Sequence, residues 1–167
     1  AKTGKPAAGF GSGGVLDLRT PDVVPAQNTS PFGQYGMTSP PVVYRNLVIT
    51  GAAVQEFPAL GMSGDVRAWD IVTGKLVWTF HTVPQPGEVG HDTWAGDSWR
   101  NRSGVNVWGF MTVDAKRGIV YLPIGGPAWD RYGGDRHGAN LFGSSVVALN
   151  ARTGQRQGDR EERRHTI

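Results

Sequence analysis

The sequence predicts an all-β chain of short repeated strand units, and three observations carry that expectation. Glycine and proline are abundant, 25 and 11 of 167 residues, so turns must be frequent and long helices few. Apolar runs such as residues 46–54 are of strand length, far below the roughly 20 residues that cross a bilayer as a helix. Third, Ala68-Trp69-Asp70-Ile71-Val72-Thr73-Gly74-Lys75-Leu76-Val77-Trp78 reads A-x-D-x-x-T-G-x-x-x-W, and Ala148-Leu149-Asn150-Ala151-Arg152-Thr153-Gly154-Gln155 repeats its first eight positions with Asn for Asp. Ala1-Lys2-Thr3-Gly4-Lys5 matches the tail of a third copy.

The elements follow in order. Pro41–Tyr44 and Leu47–Thr50 form a strand pair across Arg45-Asn46. Val66–Trp69 is an alternating strand ending at Asp70, whose carboxylate can accept backbone N–H groups across the turn while Gly74 takes positive φ. Leu76–Phe80, rich in β-branched and aromatic residues, is the return strand. Val105–Val113 and Ile119–Ile124 pair across residues 114–118, and the segment at 148 opens the last repeat. Between them, residues 20–40, 83–104 and 125–143 are Pro/Gly/Ser-rich loops that hold most of the polar and Trp content, the usual place for function. Strand pairs closed by similar Thr-Gly turns are best explained by radial repetition, a β-propeller of about two blades, with a sandwich as the runner-up. Repeat units do not bury their apolar faces alone, so marginal stability is expected of this stretch in isolation. Residues 156–167 abandon the pattern, with Gly158 where the repeat wants a Trp, and read as a disordered or non-native tail after a domain at 1–155.

Composition removes several functions. No cysteine is present, which excludes disulfide frameworks, thiolate metal sites and cysteine nucleophiles. The net charge of +3 is scattered, leaving no basic patch for nucleic acid. The four histidines lack a spacing suited to a shared metal. Gly125-Gly126 and Gly133-Gly134 are not followed by the Lys-Ser/Thr of a phosphate loop. Trp69-Asp70 mimics the WD dipeptide without its Gly-His. Trp78, Trp94, Trp99 and Trp129 read as structural.

Three motifs together resemble the pyrroloquinoline-quinone (PQQ) dependent dehydrogenases of the glucose and alcohol type. The repeat at 68–78 resembles that family's tryptophan-docking motif. Thr93-Trp94-Ala95-Gly96-Asp97-Ser98-Trp99, followed by Gly104-Val105-Asn106-Val107-Trp108-Gly109, is similar to its T-W-x-G-D-x-W and N-x-W-G segments. Thr38-Ser39-Pro40-Pro41, with Val48-Ile49-Thr50-Gly51 and Glu56, resembles its strand leading to a cofactor-facing acid. The resemblance implies an eight-bladed propeller, of which residues 1–155 are about a quarter. It also implies that Trp108 lies flat under the quinone, that Thr38 and Asn106 bind cofactor oxygens, and that Glu56 ligates a cofactor-bound calcium. A broad π-face suits a planar cofactor, and a carboxylate suits a hard cation. Where alcohol-type members carry an Asn metal ligand this sequence has Gly126, which with Tyr132-Gly133-Gly134-Asp135-Arg136 favours the glucose-type branch. No catalytic residue is assigned, since the family's catalytic Asp and His-rich segment lie beyond this stretch, and inactivity is expected of it alone. The implied activity is oxidation of a sugar or alcohol with electrons passed to a quinone or cytochrome, in the periplasm, with any membrane attachment supplied by a segment outside this chain. The alternative is a non-catalytic propeller scaffold of the outer-membrane assembly type.

Overall fold

A computed structural model describes residues 3–21, 23 and 35–161. The Ala1-Lys2 end of the third repeat copy, residues 22 and 24–34 of the first loop, and residues 162–167 of the expected tail lie outside the described residues. Ten strands are present among the described residues: β1 Tyr35–Gly36, β2 Val42–Tyr44, β3 Leu47–Thr50, β4 Ala53–Val54, β5 Val66–Asp70, β6 Leu76–Phe80, β7 Thr112–Asp114, β8 Ile119–Ile124, β9 Ser145–Asn150 and β10 Arg156–Glu161. The single helical element there is a 3-10 turn at His91–Thr93. No helix among these residues is long and apolar enough to cross a membrane.

The strands make two four-stranded antiparallel sheets, β2-β3-β5-β6 and β7-β8-β9-β10, and a two-stranded sheet of β1 and β4. Each large sheet is one blade, in agreement with the expected pair. Alternation along β8 and β9 buries Val120, Leu122, Ile124, Val147 and Leu149 on one face. These meet Leu47, Ile49, Val66 and Ala68 of the first blade, and Trp94, Val105, Val107 and Met111 join them in a single core. The same alternation leaves Tyr121 and Val146 exposed on the other face of the second blade.

The repeat is explained by its turns. Oδ1 of Asp70 accepts the backbone N–H of Val72 at 3.1 Å and of Thr73 at 2.8 Å, and the Thr73 hydroxyl at 2.8 Å. At the equivalent turn Oδ1 of Asn150 accepts the N–H of Arg152 at 2.9 Å and of Thr153 at 3.2 Å. The turn needs an acceptor and not a charge, which is why Asn substitutes for Asp. Gly74 and Gly154 both sit at φ 71°, the left-handed region in which a Cβ is costly. In all three copies the Thr hydroxyl accepts the N–H two residues on: Lys5 at 3.4 Å, Lys75 at 3.3 Å and Gln155 at 3.3 Å. The tryptophan docking is also visible. Trp78 is buried, its Nε1 donates to Ala151 O at 3.3 Å, and a Cβ on Gly154 would stand 2.8 Å from the indole ring.

Two expectations are corrected. Residues 156–161 are not a disordered tail: they form β10, paired with β9 from Arg156↔Leu149 to Glu161↔Ser145. A register shift between Arg156 and Gly158 falls where the first blade has its own, between Leu76 and Trp78. Backbone pairing and a shared bulge thus make the return strand without an apolar sequence. The strand expected over Val105–Val113 is limited to Thr112–Asp114. Residues 105–111 leave the ladder because Val105 takes φ 46° and its N–H donates to Gly126 O at 2.9 Å, while Asn106 O accepts the N–H of Gly125 at 2.9 Å.

Candidate cofactor-facing site

The short turns at 45–46, 70–75, 114–118 and 150–155 close one edge of the two blades, and the long connections close the opposite edge. Thr38, Glu56, Asn106 and Trp108 all lie in the connections at that second edge. Three of these connections are laced together by backbone bonds. Ser103 N–H donates to Ala59 O at 2.9 Å, Gly61 N–H to Asn101 O at 2.7 Å and Ala128 N–H to Ser103 O at 3.0 Å. The Ser103 hydroxyl, fully buried, donates to Gln55 O at 2.9 Å. Residues 101–106 therefore form the middle layer between residues 55–64 and 125–128.

Trp108 emerges from this layer. Val107 before it is 1% exposed and anchored in the core, whereas Trp108 itself is 64% exposed. Its carbonyl accepts the hydroxyl of the buried Ser39. Its indole edge lies over Gly125, where a Cβ would stand 3.0 Å from Nε1. Asn106 is buried, and its Nδ2 donates to Ala52 O at 2.7 Å. One of its two amide N–H groups is therefore committed to bracing the loop after β3. Thr38 is exposed, one residue before Ser39.

Glu56 is exposed in the loop after β4. Partial burial, and secondarily the negative charge of Asp130, raise its carboxyl above the usual range. Beside it the rings of Phe57 and Trp129 meet edge to face at 5.3 Å. Trp129, read from sequence as structural, is 38% exposed at this position, unlike the buried Trp78 and Trp94. The antiparallel pairing of Tyr35 with Val54 and Gly36 with Ala53 sends Thr38 and Glu56 away from opposite ends of the small sheet. Thr38, Ser39, Asn106 and Trp108 thus gather on one side, and Glu56, Phe57, Trp129 and Asp130 on the other.

Among the described residues no three His, Cys, Asp or Glu side chains could hold a metal together. Ser39 and Asp130 were not singled out from sequence; Ser39 stood beside Thr38 in the quoted motif, while nothing local marked Asp130. On the far side of the 101–102 loop, Arg102, its side chain 2% exposed, donates to Ala128 O and to Asp135, each at 2.8 Å. This ties the Trp129–Asp130 loop in place. A cavity of about 420 Å3 lined by Asp65, His81, Gln85, Trp99 and Arg100 includes none of the four expected site residues.

Comparison with known proteins identifies the arrangement. The family model described as PQQ: Glucose/ethanol/alcohol dehydrogenase, beta-propeller domain, matches residues 1–160. A quinoprotein glucose dehydrogenase of Gluconobacter oxydans is 37% identical over 158 residues, covering 93% of this chain and 19% of that protein. The quinoprotein glucose dehydrogenase of Escherichia coli is 34% identical, with 93% and 19% covered. Among solved structures, the quinohemoprotein alcohol dehydrogenase ADHIIG of Pseudomonas putida HK5 superposes with a TM-score of 0.65 at 31% identity, covering 76% of this chain and 20% of that one. The enzyme of the same kind from Comamonas testosteroni gives a TM-score of 0.66 at 28% identity, with 75% and 20% covered. The chain spans about a fifth of the length of these relatives. It is part of a β-propeller and belongs to the PQQ family of glucose, ethanol and alcohol dehydrogenases.

Proposed function

We propose that the protein carrying this chain is a PQQ-dependent dehydrogenase that oxidises a sugar or alcohol and passes the electrons to a quinone or cytochrome, and that this stretch supplies part of the cofactor's seat. The observation that carries the reading is Trp108: a large aromatic surface, exposed, on a loop whose neighbours are pinned into the core.

The residues fit the group. A planar tricycle needs a flat apolar surface, which the indole supplies, and Gly125 leaves the space at its edge that any side chain would fill. Ser39 holds the Trp108 carbonyl and so sets the direction of the loop. Thr38 offers a hydroxyl to cofactor oxygens. Glu56 supplies one hard oxygen donor for calcium, with Asp130 near enough to perturb it. A cation there would lower the Glu56 carboxyl again, reversing the repulsion from Asp130. Gly126 offers no ligand, so the remaining donors must come from the cofactor or from elsewhere in the protein.

When bound, PQQ supplies the electron sink for oxidation of a CH–OH carbon. The exposed Phe57 and Trp129 on the Glu56 side give the site an apolar flank suited to the carbon face of a sugar or alcohol. The glucose-type reading rests on Gly126 and on the glucose dehydrogenases among the relatives. Periplasmic location and any membrane attachment are part of the same proposal. Reconstitution of the full-length protein with PQQ and calcium, followed by dye reduction without NAD against glucose and ethanol, tests it. Activity on glucose is expected; no reduction with any sugar or alcohol by folded, PQQ-exposed protein would overturn the reading.

A further inference from the structure

The side chain of Arg67, second residue of β5, is fully buried, although an alternating strand would have turned it to solvent. Both faces of this strand are covered: Val66 and Ala68 face the core, while Arg67 and Trp69 face the segment that precedes β2. Three oxygens from that segment converge on the guanidinium. Nη1 donates to the Thr20 hydroxyl at 2.6 Å, and Nη2 donates to Leu18 O and to the Tyr35 hydroxyl, each at 2.5 Å. The planar group also lies over the Trp69 ring at 4.8 Å and the Tyr35 ring at 5.8 Å. A buried guanidinium is costly to desolvate, and its fixed fork suits it to gathering several acceptors at once.

What the fork gathers leads directly to the site. Tyr35 begins β1, which pairs with β4. β1 runs into Met37-Thr38-Ser39, where Ser39 binds the Trp108 carbonyl, and β4 runs into Gln55 and Glu56, where Gln55 O accepts the Ser103 hydroxyl. We infer that Arg67 is a positioning residue for the cofactor seat: by holding Tyr35 it fixes the small sheet from whose two ends Thr38-Ser39 and Glu56 approach Trp108 and the calcium position. This rests on the function proposed above. Arg67 bonds to Thr20, Leu18 and Tyr35 and not to Trp108 or Glu56; its effect is transmitted through β1 and β4.

The test uses the full-length protein with Arg67→Met, Arg67→Lys and the milder Tyr35→Phe, and Trp78→Phe as a control for general destabilisation. Two quantities are read: PQQ affinity by fluorescence quenching, and amide hydrogen exchange resolved along the chain. In Arg67→Met, PQQ affinity is expected to fall about 10- to 100-fold, the usual range for loss of a supporting contact. Exchange at residues 35–39 and 53–56 is expected to accelerate while β8 and β9 stay protected. Arg67→Lys, which keeps charge without the fork, and Tyr35→Phe fall between wild type and Arg67→Met. Unchanged exchange at 35–39 and 53–56 in Arg67→Met overturns the inference, as does an equal affinity loss in Trp78→Phe. If Arg67→Met loses protection everywhere, Tyr35→Phe decides by the same two readouts. Wild-type protein that binds no PQQ overturns the functional proposal, while the exchange result still decides the role of Arg67.

Discussion

The junction between the blades gives a sharp energetic expectation. Trp78 of the first blade is 7% exposed and covers Gly154 in the turn of the second. Trp78→Ala removes a buried aromatic side chain and its bond to Ala151 O, a loss of about 3–5 kcal/mol. Gly154→Ala acts from the other side. At φ 71° a Cβ costs about 1–2 kcal/mol, and its 2.8 Å approach to the indole forces the ring aside at a further cost of about 1–3 kcal/mol. That second part exists only while the ring is present. In a Trp78→Ala background Gly154→Ala should therefore cost only the backbone part, leaving the double variant about 1–3 kcal/mol more stable than the sum of the single effects. Native-state hydrogen exchange in the full-length protein reads this locally, at the amides of Asn150 and Gly154, which bond within this turn to Gln155 O and Asn150 O, and of Ala151, which bonds to Gly118 O of the neighbouring turn. Effects that add within about 0.5 kcal/mol would refute the docking explanation of the repeat.

Other expectations follow from the site and its supports. Gly125→Leu should crowd the Trp108 edge and weaken PQQ binding about tenfold, or about 1.4 kcal/mol, with little change in melting temperature; titration and a thermal melt check both. Arg102→Met strands Ala128 O and Asp135 and should destabilise by about 1–3 kcal/mol, seen as a lowered melting temperature and faster exchange at 128–136. Burial is the main cause that raises the Asp65 carboxyl, so the native state holds its proton more tightly than the unfolded chain. That stabilising effect is complete below the ordinary carboxylate range and is lost as pH rises through the native value. Asp65→Asn should accordingly gain stability relative to wild type as pH is raised from acid to neutral, and a constant gap across pH would contradict this.

What could be read from sequence was whatever is decided locally. The Asp70 and Asn150 turns are built from residues two to four positions apart, so A-x-D-x-x-T-G announced both the turn and the blade. Trp78 was placed in a docking motif by resemblance alone, and the structure supplies its target, Gly154, in the next copy of the same repeat. Trp108 was legible as a motif, but its exposure depends on the 105–106 backbone leaving β8 to pair with residues 125–126, a contact no local pattern carries. β10 was missed because Arg-Gln-Gly-Asp-Arg-Glu has no apolar alternation, and its strand is made by main-chain pairing with β9. Arg67 was missed for the opposite reason: its strand was recognised, and alternation then turned it outward, whereas residues 18–20 and Tyr35 cover that face. Trp129 was assigned to structure because its ring partner Phe57 is some seventy positions away.

The most direct test of the cofactor seat is fluorescence titration of the full-length protein with PQQ, with and without calcium, using wild type, Trp108→Ala and Glu56→Ala. Saturable quenching is expected in wild type, lost or weakened at least about tenfold in Trp108→Ala, and insensitive to calcium in Glu56→Ala. Folded wild type that shows no quenching, or Trp108→Ala protein that binds as wild type does, would contradict it.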